Sequence, residues 1–145
     1  MLRLAASVVL LGLSIYSAAL VAEATRTMAT ADIDGDGKQD RIYRIDRGKG
    51  SIEVAVYTSK NGGKKFKVFQ LSHDEISEIT FSAEERKKFI YVIRCRDDCS
   101  SNRSRTIDLL NKSKSAYVFA IESDRAGSVI FVNERGKVVQ EWYAD

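Results

Sequence analysis

From Arg41 onward, apolar and polar residues alternate with a period of two, in short runs separated by breaks rich in glycine and asparagine. A period of two puts successive side chains on opposite faces of an extended strand. The pattern predicts strands at Arg41–Ile45, Ser51–Thr58, Lys65–Leu71, Ile76–Phe81, Phe89–Cys95, Thr106–Leu110, Ala116–Glu122, Val129–Val132 and Val138–Tyr143. Between them stand Arg47-Gly48-Lys49-Gly50, Asn61-Gly62-Gly63, Asn111 to Lys114, Ser123 to Gly127 and Glu134-Arg135-Gly136. Their Gly and Asn residues reach the positive φ that tight hairpins require. Short strands joined by hairpin-sized turns predict a mainly β domain, an antiparallel β-sandwich or partial barrel. Ser72-x-x-Glu75 and Ser82-x-x-Glu85 have capping-box spacing and predict one or two short helical turns, at His73–Glu78 and Ala83–Lys88. The chain has no proline, so protection of edge strands falls to charges such as Lys64, Lys65 and Lys67.

The first residues follow another pattern. Met1-Leu2-Arg3 is short and positive, Leu4 to Val21 is apolar and uncharged, and Ala22-Glu23-Ala24 has the small-x-small form of a cleavage site. Together they predict a secretory signal peptide at 1–24 and a single β-rich domain at 25–145. That domain is long enough for one core and too short for two. The competing reading is an uncleaved anchor, because the 18 residues of the apolar run are near the lower limit for a membrane helix. Gly12, Ser7, Ser14 and Ser17 dilute that run, and no basic cluster follows it. The expected product is periplasmic or secreted, with no stable membrane insertion after cleavage. With 23 Lys and Arg against 20 Asp and Glu, the net charge is +3 and the pI about 8.9. A charge this small on a mixed-sign surface gives no argument for nucleic acid. A cytosolic enzyme, a multidomain protein and a polytopic membrane protein are all disfavoured.

The strongest chemical signal is Asp32-Ile33-Asp34-Gly35-Asp36-Gly37-Lys38-Gln39-Asp40. Carboxylates this dense repel one another unless a cation neutralises them. Oxygen ligands at positions 1, 3, 5 and 9 of a loop, a glycine at 6 and a backbone carbonyl at 7 wrap a hard divalent ion. Here those places belong to Asp32, Asp34, Asp36, Asp40, Gly37 and Lys38, and calcium is favoured over magnesium because it tolerates many flexible oxygens. The alternative is a solvated acidic turn. Ile33 interrupts the carboxylates with a side chain suited to the core, which would make the loop a clasp as well as a metal site. An EF-hand would carry a bidentate carboxylate at position 12, where this chain has Tyr43 inside a predicted strand. Water or Asp46 would have to complete the coordination sphere. The stretch Ala31 to Asp40 resembles the calcium loops of FG-GAP and VCBS-type β-repeat proteins, in which Asp-x-Asp-x-Asp-Gly-x-x-Asp runs directly into strands. The chain is too short for a propeller built from such repeats.

Cys95 and Cys99 frame Arg96-Asp97-Asp98, and in an oxidising compartment they predict a disulfide. Zinc is disfavoured because His73 is the only histidine available to join them. No nucleophile elbow, phosphate loop or zincin motif occurs, so no catalytic residue is assigned and the chain is read as a non-enzyme. The polar stretch Ser100 to Arg105 reads as a loop pinned by the disulfide, with Arg103 and Arg105 available to carboxylates on a partner.

The plan of signal peptide, compact β-domain and polar loops resembles the small periplasmic lysozyme inhibitors and related immunity proteins. Ser113-Lys114-Ser115-Ala116-Tyr117 is similar to their Ser-Gly-x-x-Tyr motif, with Lys114 in place of the glycine. The resemblance implies a calcium-binding protein-binding module, an inhibitor or immunity protein directed at a lysozyme-like peptidoglycan hydrolase. Its partner contacts would be Arg103, Arg105, Ser113 and Tyr117. Two alternatives remain: a structural or adhesive FG-GAP/VCBS-like module with a calcium-rigidified loop, and a calcium-dependent hydrolase.

Overall fold

The computed structural model describes residues 25–60, 65–94, 101–124 and 126–144. Residues 1–24, Cys95 and Cys99 lie outside the described residues, and with them the signal-peptide and disulfide expectations. Eight strands form two four-stranded antiparallel sheets. The first runs β1 (Thr25–Ala31), β2 (Asp40–Asp46), β3 (Ser51–Tyr57) and β4 (Lys65–Ser72); the second runs β5 (Thr80–Glu85), β6 (Tyr117–Glu122), β7 (Gly127–Val132) and β8 (Val138–Ala144). In each sheet every strand lies beside its neighbour in sequence, as short connections demand. Among the described residues there are three helices: α1 (His73–Ser77), α2 (Arg86–Ile93) and α3 (Ser101–Lys112).

The sheets pack face to face. Ile42, Ile52, Val54 and Val56 of the first sheet meet Phe119, Ile121, Ile130 and Val132 of the second, with Ile76 of α1 in the same cluster. A second cluster fills the opposite face of the second sheet. There Val118, Ala120, Val129, Phe131 and Tyr143 are covered by Phe89, Ile90 and Ile93 of α2 and by Leu110 of α3. The second sheet is therefore buried on both faces, and Val118-Phe119-Ala120-Ile121 is a continuous buried run instead of an alternating one. The result is a sandwich with a helical layer on one side; there is no closed barrel. No helix among the described residues is long and apolar enough to cross a membrane.

Several local expectations change. Thr25–Ala31 is a strand that the pattern did not announce, because its alternation uses threonine and alanine in place of large apolar residues. The Ser72 capping box is formed: Ser72 Oγ accepts from Glu75 N–H at 3.4 Å and the Glu75 carboxylate accepts from Ser72 N–H at 2.8 Å. It starts α1, which ends at Ser77, so strand β5 begins at Thr80 and not at Ile76. The second box does not form, since Ser82 pairs with Ala120 in the sheet and the N-cap of α2 is Glu85. Of the strand expected at Phe89–Cys95, Phe89–Ile93 lies in helix α2, and the strand expected at Thr106–Leu110 lies in α3; of the polar stretch expected as a loop, Ser101–Arg105 is the start of α3. On α2 the buried residues are Phe89, Ile90 and Ile93, while Tyr91 and Val92 are 69% and 66% exposed. That is helical spacing, imposed by the apolar face of the sheet beneath.

Candidate metal centre

The acidic loop is the connection between β1 and β2. Strand β1 ends at Ala31 opposite Asp40, so Asp32 and Asp40 leave the sheet as neighbours. Within the loop, Asp32 and Asp34 sit two residues apart, and Ile33 between them is fully buried in the inter-sheet core. Gly35 and Gly37 take φ values of 73° and 83°, a conformation that β-carbons resist, and they turn the chain back toward β2.

One carboxylate oxygen from each of Asp32, Asp34 and Asp40 lies within 4.8 Å of the others. Asp34 and Asp40 are buried, at 8% and 1% exposure. Backbone N–H groups hold all three. Asp40 Oδ2 accepts from Ile33 and Asp34 at 2.9 and 3.2 Å, and Asp40 Oδ1 accepts from Ser59 at 3.0 Å. Asp32 accepts from Gly35, Asp36 and Gly37 at 2.7, 3.1 and 2.8 Å. Asp34 accepts from Asp36 at 3.2 Å and from Lys60 at 3.1 Å. A carboxylate offers about four lone-pair sites, so each aspartate keeps at least one for a further partner. Among the described residues no Lys or Arg side chain forms an ion pair with any of the three. In the segment closing over them, Thr58 is buried and its Oγ1 makes no hydrogen bond. Converging carboxylates without a basic partner offer the hard oxygen donors that a divalent cation takes.

Burial pushes the Asp40 carboxyl above its ordinary range, and the neighbouring Asp34 adds to that, while N–H donation from Ser59, Ile33 and Asp34 partly offsets it. A carboxyl raised in this way stabilises the fold when protonated and loses that contribution as pH rises through its folded value. A cation must displace that proton. Calcium affinity, measured by titration calorimetry from about pH 7 down to about pH 4, should therefore begin to fall at a higher pH than an ordinary aspartate would cause. An affinity flat across that range would count against Asp40 as a ligand.

The expected ligand set is only partly assembled. Asp36 is not in the group whose oxygens all lie within 4.8 Å of one another, although it neighbours Asp34; its carboxylate accepts from the Ser59 hydroxyl and from Lys38 N–H at 2.8 Å, and these bonds hold its pKa low. Asp46 is at the far end of β2, roughly 20 Å of strand from Asp40, and accepts from Gly48 N–H at 2.8 Å. It does not reach the loop. Ser59 and Lys60, which the sequence reading missed, come in through the β2–β3 hairpin; the register that sets Arg41 opposite Tyr57 brings the residues after β3 against Asp40.

Comparison with known proteins gives no match to any family model, curated protein or solved structure. The residues expected at a partner surface are dispersed. Arg105 is exposed on α3, 3.7 Å from Glu141, and Arg103 lies on the same helix with its side chain outside the description. Ser113 is buried, its hydroxyl donating to the Val132 carbonyl at 2.6 Å, which ties the end of α3 to β7. Tyr117 is 44% exposed at the start of β6.

Proposed function

We propose that this chain is a calcium-binding β-sandwich of the periplasm or exterior that binds a protein partner and catalyses no reaction, acting as an inhibitor or immunity protein against a lysozyme-like hydrolase. The observation that carries the calcium part is the cluster of Asp32, Asp34 and Asp40, two of them buried and none paired with a basic side chain among the described residues. The likeness of the loop to FG-GAP and VCBS calcium loops supports the same reading. A net charge of +3 suits association with a cleft lined by carboxylates, where complementary charge raises the on-rate.

The test is a muralytic assay. Purified protein should suppress lysis of cell walls by a lysozyme-type enzyme in calcium, and do so less in chelator. Absence of inhibition against a panel of such enzymes would move the reading to the structural module. One observation favours that second reading: Ile33 staples the loop to the core, so a bound cation would rigidify the sandwich itself.

A further inference from the structure

A pocket of about 320 Å³ opens where β5 passes into α2, lined by Arg86, Lys87, Lys114, Ser115 and Tyr117, with Glu85 as the one acid in its wall. Its frame is fixed from both sides. Arg86 N–H donates to the Ala116 carbonyl at 2.8 Å, and Arg86 Nη1 donates to the Leu110 carbonyl at 2.6 Å. Ser115 is buried; its hydroxyl donates to the Ile33 carbonyl and its N–H to Ser113 Oγ at 3.1 Å. A frame already ordered loses little entropy when a ligand arrives.

The charge in this frame is unbalanced. Arg86 is half-buried, its Nε is buried without a hydrogen bond, and no carboxylate pairs with its guanidinium among the described residues. A cation withdrawn from water without a counter-charge is destabilising, and an anion in the pocket would offset that. Lys87 and Lys114 are exposed and free to turn toward such an anion. Helix α2 begins at Arg86, and Glu85 at its N-cap makes no side-chain capping hydrogen bond. Arg86 N–H is taken by the Ala116 carbonyl, so the donors left at the positive end of the helix dipole are the N–H groups that follow it in the first turn, those of Lys87 and Lys88. Glu85 is exposed, and its single charge is outweighed by three cations.

We propose that this pocket binds a phosphate-class oxyanion, either free phosphate or the phosphate group of a phosphomonoester. Lys87 and Lys114 supply point charges, the first turn of α2 supplies N–H donors, and the Arg86 charge acts from the wall. Tyr117 offers its hydroxyl at the rim. The proposal is independent of the calcium reading.

The test is an NMR titration of the amide signals with inorganic phosphate and, in parallel, with glycerol 1-phosphate, against sodium chloride at matched ionic strength. Saturable shifts should concentrate at Lys87, Lys88, Ser115 and Tyr117. The double variant Lys87→Gln, Lys114→Gln should weaken binding at least about tenfold, the loss expected when charge-assisted hydrogen bonds are removed. Both lysines are exposed, so the variant keeps the fold, whereas Arg86→Gln would also lose the bond to Leu110. Tighter binding of the ester assigns a phosphomonoester; equal or tighter binding of inorganic phosphate assigns the free ion. Equal shifts at the remote Lys49 and Lys67, the same shifts in chloride, or unchanged affinity in the double variant would overturn the proposal.

Discussion

Adding a chelator is expected to lower the thermal midpoint of this protein by about 4–10 °C relative to 10 mM calcium, and Asp34→Asn is expected to remove most of that difference. The size follows from linkage. A site with the roughly 10⁻⁴–10⁻³ M affinity of extracellular calcium modules stabilises the fold by about 1.4–2.7 kcal/mol at that concentration. A domain of this length moves by roughly 3–4 °C per kcal/mol. Asn is the discriminating substitution because Asp34 accepts from Asp36 and from Lys60, and an amide keeps one oxygen acceptor while losing the charge. In chelator the relief of repulsion among three carboxylates offsets the loss of one of those two hydrogen bonds, so the midpoint should change less there than in calcium. In calcium it should melt lower. A fall of equal size in both buffers, followed by circular dichroism, would show that Asp34 acts through its hydrogen bonds alone.

The parts of this fold that were legible in the sequence are those where one strand face meets the core and the other meets water. Strand β4 alternates for that reason, with Phe66, Val68 and Leu71 packed toward the core and Lys65, Lys67, Gln70 and Ser72 exposed. The helices were hidden by their own composition. Phe89-Ile90-Tyr91-Val92-Ile93 is aromatic and β-branched throughout, and strand periodicity would bury Tyr91, which is exposed. What decides the matter is distant in sequence: Val118, Ala120, Val129 and Phe131 present an apolar sheet face that a helix covers well. Helix α3 carries few apolar residues, yet Thr106 and Leu110, both fully buried, stand four apart. That spacing was the available signal. The acidic loop was legible because its carboxylates are near neighbours. Ser59 and Lys60 were not, being 19 and 26 residues from the aspartates they donate to and joined to them only by strand register.

Ile33→Ala should destabilise the protein by about 2–5 kcal/mol in chelator, and by more in calcium. Ile33 is fully buried between the sheets, so truncation removes its transfer free energy and leaves a cavity among side chains that interdigitate. Against a total stability of about 5–15 kcal/mol for a domain, that loss is large. It also reaches the site. Asp32 and Asp34 flank Ile33 in the chain, while its N–H donates to Asp40 at 2.9 Å and its carbonyl accepts from the Ser115 hydroxyl. The isoleucine therefore sets the position from which the carboxylates converge. Without that anchor more of the loop must be ordered when a cation binds, and calcium affinity should fall along with stability. Ile33→Val, which keeps most of the volume, should cost only about 0.5–1.5 kcal/mol and leave the affinity near wild type. Denaturant melts paired with calcium titrations of the two variants separate the effects. A stable Ile33→Ala protein with normal affinity would mean that the loop holds its shape by its own hydrogen bonds, and that core and site are independent.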